Sequence, residues 1–194
     1  MKRQADVVAG DPDARARVFL ELGEVYHNHL ARVDLAEQSY NEARLLIPDS
    51  SEALHALGQL YERSGNWFQA LEMLEHEAEL VADPKQSAQL FERIGRINEE
   101  MLLNRSGAVE AYQKAIGKFP GSLVALEALK SMAREDEDWG AYARYLELIL
   151  EAVTEPDDRF DLLVEMAEHK EAVEHDDLKA IDLLEEAADI DASD

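Results

Sequence analysis

The chain has 194 residues, 46% of them hydrophobic, and its 43 Asp plus Glu against 19 Lys plus Arg give a formal net charge of −24. That balance disfavours nucleic acid and anionic membrane surfaces, both of which reward clustered positive charge. The absence of cysteine excludes disulfides and thiolate zinc sites, and nine glycines with five prolines are too few for a disordered or all-β chain.

The opening "MKRQADVVAG" is basic at first but has no apolar h-region, so it does not read as a signal peptide. No stretch approaches 18 apolar residues, so no transmembrane helix is expected and a cytoplasmic location is the default. Residues 5–11, "ADVVAGD", resemble "EAELVAD" at 77–83. Residues 1–13 therefore read as the tail of a preceding repeat or an N-terminal extension, and the chain as a segment of a longer array.

All five prolines, Pro12, Pro48, Pro84, Pro120 and Pro156, stand 36 residues apart. A period of that size marks a repeat architecture. Proline ends a helix cheaply in a loop, and the residues after each proline read as helix starts. Asp49 and Glu52 have capping-box spacing, with Ser50 and Ser51 competing for the cap. Gly121 and Ser122, then Asp157 and Asp158, fill the same role further on. The units run at about 14–49, 50–85, 86–121, 122–157 and 158–194 of a single array spanning 1–194.

Each unit holds two helical patterns. The first helices carry Phe19, Leu22, Gly23 and Tyr26, then Leu54, Leu57, Gly58 and Tyr61, then Phe91, Ile94, Gly95 and Asn98. The second helices carry Ala36, Tyr40 and Ala43, then Ala70 and Leu74, then Ala108, Tyr112 and Ala115. Spacings of three and four put these residues on one face, small ones allowing close approach and large ones filling space beside them. Alignment is better at 72 residues: Ala36, Ala108 and Ala180 match, as do Trp67 and Trp139, which read as wedges between hairpins. Odd units carry one residue more between their helices than even ones. Lys130 and Tyr142 depart from the pattern in unit four, and Ala167 and Lys170 in unit five, where the last helix is expected to fray.

The pattern Phe19, Leu22-Gly23, Tyr26, Ala36, Tyr40, Pro48 resembles the W-x2-L-G-x2-Y, A-x3-F, P signature of the tetratricopeptide repeat family. The alternation of two unit types is similar to the paired arrays of large bacterial proteins. The resemblance implies an all-α, right-handed superhelical solenoid of about five helix-turn-helix repeats with a 36-residue period. It also implies a concave face, lined by first helices, that grips an extended peptide or a partner helix.

Spacing along each first helix maps that face to Arg17, Leu20, Glu24 and His27, then Glu52, His55, Gln59 and Glu62, then Gln89, Glu92, Arg96 and Glu99. It continues with Val124, Glu127, Ser131 and Arg134, then Asp161, Val164, Glu168 and Glu171. Nine of the twenty are acidic and three basic, a formal −6, so a basic or polar protein segment is the expected partner. The Lys and Asn positions with which one subgroup clamps chaperone C-termini hold Leu20, Glu24 and Ala56 here, and Arg93 with Gln89 does not rebuild the clamp.

No catalytic motif is present. There is no HExxH, glycine-rich phosphate loop, GxSxG or EF-hand loop, and His27 and His29, two apart, point in different directions on a helix. No enzyme, metal or cofactor is expected. The functional expectation is a protein-interaction scaffold, with a structural spacer as the alternative and a superhelical RNA binder a distant third. The oligomeric state is open.

Overall fold

The computed structural model describes residues 11–191. They form α1 (Pro12–Glu24), α2 (Val33–Leu46), α3 (Ser51–Arg63), α4 (Trp67–Leu80), α5 (Pro84–Arg96), α6 (Arg105–Lys118), α7 (Leu123–Glu135), α8 (Trp139–Ala152), α9 (Pro156–His169) and α10 (Asp177–Asp191). No strand occurs among the described residues. The reading of residues 1–10 as part of a preceding repeat lies outside them. Backbone contacts divide the chain into two compact units, one up to Ala108 and one from Val109 on.

The prolines take two different places. Pro12, Pro84 and Pro156 are the first helical residues of α1, α5 and α9, where a missing N–H costs nothing. Asp11 and Asp83 cap two of these helices by accepting from the N–H of Asp13 (3.0 Å) and Lys85 (3.1 Å). Pro48 and Pro120 stand outside α3 and α7, in the turns that precede them. Ser50 wins the α3 cap: its Oγ accepts from Ala53 N–H at 3.2 Å and donates to Glu52 at 3.1 Å. In the last hairpin the boundary falls at Glu155–Pro156, so Asp157 and Asp158 lie inside the first turn and favour it through the helix dipole, not as caps.

The extra residue of the odd hairpins has a structural home. After α1, α5 and α9 the chain continues through π-helical turns, Val25–His29, Ile97–Met101 and Lys170–Glu174. Leu30 N–H bonds to Val25 O at 3.2 Å and Leu102 N–H to Ile97 O at 3.1 Å, five residues back instead of four. A left-handed residue follows each turn: Ala31, Leu103 and His175. The even hairpins lack the π turn and reverse through left-handed Gly65 and Glu137.

In the first unit α1 packs on α2, α2 on α3, α3 on α4 and α4 on α5. Its main cluster joins Ala36, Tyr40, Leu54, Leu57, Leu60, Tyr61, Ala70 and Met73, and a small-residue contact joins Ala16, Ala43 and Ala53. Tyr61 O–H donates to Glu37 on α2 at 2.9 Å, satisfying its polar end. Leu22 departs from its expected core role. It is 38% exposed where its counterparts Leu57 and Ile94 are 0% and 2%.

In the second unit α7 packs on α8, α8 on α9 and α9 on α10. Leu126, Leu146, Ile149, Leu162 and Met166 form the centre of its core. Its two departures from the repeat pattern explain each other. Lys130 Nζ lies 3.1 Å from Glu165 and 2.9 Å from Glu127, while Tyr142 O–H donates to the other oxygen of Glu165 at 2.6 Å. A lysine at a packing position and a tyrosine at a small-residue position are thus held by one carboxylate on the following helix. Trp139 sits between its own hairpin and the next, without being buried. It is partly exposed at the start of α8, with its ring against Tyr142 and His169 at 5.9 Å each. Trp67, half-buried, starts α4 in the same way. Helix α10 runs through Asp191, anchored by buried Ala180 and Ala187.

Candidate functional site

None of the twenty residues mapped to the first-helix face is buried. This follows from the helical period. With Ala16, Ala53, Leu54, Leu57, Ala88 and Phe91 turned inward, the residues between them face solvent.

In the first unit three clefts among the described residues indent the face. One of about 610 Å³ brings together Arg17, Leu20 and Glu52 beside Ser50 and Ile47. A second, of about 460 Å³, gathers Leu20, Glu24, His27, Glu52, His55 and Gln59 around the ring edge of Tyr40. A third, of about 470 Å³, is lined by Gln89, Glu92 and Arg96 together with Glu77 and Arg93. Glu62 and Glu99 line none of the three.

Several of these side chains are tied to one another. Glu62 holds Arg93 at 2.6 Å, which takes both out of simple partner binding. His27 Nε2 accepts from Arg63 at 2.7 Å, so its ring is fixed by a guanidinium, while His29 is exposed. His55 Nδ1–H donates to Glu77 at 3.1 Å, and its Nε2 accepts from the Gln59 amide at 2.7 Å. Glu77 is on α4, a second helix, so a map drawn from first helices alone misses it. The signal was present as a charged residue at a position where other units carry alanine or isoleucine.

In the second unit Val124, Glu127 and Arg134 are exposed on α7 and Ser131 is half-buried. Asp161 and Glu168 are exposed on α9, Val164 is half-buried between them, and Glu171 is exposed on the π turn. Glu127 shares Lys130 with Glu165, so part of its charge is compensated.

His169 is buried against Tyr142, with ring centroids 5.0 Å apart. Burial lowers its pKa below the ordinary histidine value, with the Glu174 carboxylate opposing. Burial and the bond to Glu165 raise the Tyr142 phenol well above its usual range. Burial thus disfavours the charged form of both groups. No cluster of three or more acidic or histidine side chains fit to hold a metal occurs among the described residues, and no helix there is long and apolar enough to cross a membrane.

No family model matches the sequence and no functionally curated protein does. Solved structures do match in fold. The crystal structure of YrrB, described as a TPR protein with an unusual peptide-binding site, superposes with TM-score 0.55 at 15% identity, over 96% of this chain and 91% of that one. The MamA protein gives TM-score 0.55 at 18% identity over 92% of both chains. PilF of Pseudomonas aeruginosa gives 0.54 at 16% identity, over 93% of this chain and 80% of its own. The fold is that of the tetratricopeptide repeat proteins: all-α, built of helix-turn-helix hairpins.

Proposed function

We propose that this chain is a non-catalytic protein-interaction scaffold that holds a basic or polar segment, or a partner helix, against its acidic first-helix face. One observation carries the reading. The twenty residues of the face include nine acids and three basic residues, and none of the twenty is buried although their helices form the core. A surface of one sign speeds capture of an oppositely charged partner and selects against the wrong one. The peptide-binding site named for YrrB, a protein of the same fold, supports the reading by analogy alone.

A spacer role is the second reading. It is favoured by the ion pairs that engage Glu62 and Glu127, which reduce the free charge on the face. A spacer needs only a rigid array and a soluble surface.

The test replaces Asp161, Glu168 and Glu171 together with Lys. All three are exposed, so circular dichroism should stay helical. Affinity capture at low salt should then lose the Lys- or Arg-rich partners that the wild-type chain retains and releases as salt is raised. Retention of the same partners by the triple variant rejects the acidic face and leaves the spacer.

A further inference from the structure

We infer that Glu77 is the anchor for a cationic side chain, lysine or arginine, of the bound segment. This rests on the proposed reading that a basic segment docks on the first-helix face, and it assigns a role to a residue outside that face.

Four observations converge on Glu77. The equivalent residues of the other second helices are Ala43, Ala115, Ile149 and Ala187, all buried and apolar, so this position packs hydrocarbon everywhere else. Glu77 is itself only 8% exposed. One of its oxygens accepts from His55 Nδ1–H at 3.1 Å, while the other, Oε2, is buried and accepts no hydrogen bond. The side chain forms part of the wall of the cleft shared with Gln89, Glu92, Arg93 and Arg96.

A buried carboxylate with an idle oxygen is costly unless something donates to it. His55 does not serve the second oxygen: its Nδ1 bonds the first at 3.1 Å, and its Nε2 is taken up by the Gln59 amide at 2.7 Å. Arg93 does not either, because Glu62 holds it at 2.6 Å. What the free oxygen lacks is a charged N–H donor arriving through the cleft. A lysine ammonium or an arginine guanidinium supplies one, and shielding from water strengthens the contact. If the residue served only to hold His55, a neutral acceptor would do the same work without burying charge.

The test uses fluorescein-labelled octalysine and fluorescence anisotropy at low salt, with wild type, Glu77→Gln and, as a control for lost surface charge, Glu75→Gln on the exposed side of the same helix. Glutamine keeps an acceptor for His55 and removes the charge. The expected result is at least tenfold weaker binding for Glu77→Gln, a change under twofold for Glu75→Gln, and a melting temperature of Glu77→Gln equal to or above wild type. In wild-type protein the Glu77 carboxyl carbon resonance should also shift on adding octalysine, and that of Glu75 should not. Equal binding by the two variants, or an unmoved Glu77 resonance while wild type binds, overturns the anchor and leaves the basic-partner reading standing. A Glu77→Gln protein that melts well below wild type makes Glu77 a structural partner of His55 and likewise overturns it. Wild type that ignores octalysine overturns both.

Discussion

Gly23 on α1 and Tyr40 on α2 touch so closely that a β-carbon added to Gly23 would collide with the edge of the tyrosine ring. The two helices of the first hairpin meet at this point. Gly58, the corresponding residue of the next hairpin, faces Met73 and Leu74 across 3.7 to 3.9 Å, an ordinary contact for a methyl group. The same glycine of the repeat pattern is therefore obligatory in one hairpin and dispensable in the other.

Gly23→Ala should destabilise the chain by about 1–3 kcal/mol, the usual cost of overpacking a close contact. Gly58→Ala should be neutral or should stabilise by up to about 1 kcal/mol, because alanine loses less backbone entropy in a helix. Urea denaturation of both variants decides this. A Gly58→Ala protein as damaged as Gly23→Ala would show that helix approach is equally tight in both hairpins.

Glu137 turns the α7–α8 hairpin with φ of 55°, a conformation that Gly65 supplies at the equivalent place with φ of 72°. A non-glycine residue is strained there. Glu137→Gly should stabilise by about 1 kcal/mol, since the side chain is exposed. A lower denaturation midpoint for the variant would contradict this.

Much of the fold was legible because the features that carry it are local. Proline spacing, serine and aspartate caps and the three-four rhythm of Ala36, Tyr40 and Ala43 each report on a few neighbouring residues. The π turns were visible only as one surplus residue, since an i to i−5 bond leaves no mark of its own in the sequence. Lys130 and Tyr142 looked like lapses from the pattern because the residue that reconciles them, Glu165, lies on a later helix. The exposure of the first-helix face was legible from spacing alone. The pairing of Glu62 with Arg93, and the contact of Glu77 with His55, needed three dimensions.

The Tyr142 phenol is held neutral by burial and by Glu165, with its pKa raised in the folded chain above the ordinary value near 10. Its contribution to stability is full below the unfolded pKa and fades as pH rises toward the folded one. Tyr142→Phe should cost about 1 kcal/mol at pH 8 through the lost hydrogen bond. The gap between wild type and variant should narrow by pH 10.5, because only the wild type has this proton to lose. Denaturation curves at the two pH values check it. A gap that widens would place the tyrosine pKa below its unfolded value.

Helix α10 is held by Ala180 and Ala187, while Leu178, Ile181 and Leu184 remain exposed. It buries little apolar surface for its length, so its opening free energy should be low. Amide exchange over residues 177–191 should be at least tenfold faster than over Val33–Leu46, where Tyr40 and both alanines are buried. Equal protection in the two helices would contradict this.

The central claim is that the first-helix face, and not another surface, meets the partner. Site-specific photocrosslinking in cells tests it most directly. A benzoylphenylalanine is placed singly at Gln59 and Gln89 on the face, and at Gln38 and Gln69 on the exposed sides of the second helices α2 and α4. The account predicts crosslinks from Gln59 and Gln89 to one Lys- or Arg-rich segment of another protein, and none to that segment from Gln38 or Gln69. Crosslinks from Gln38 and Gln69 alone, or from no position while the chain remains functional, would contradict it.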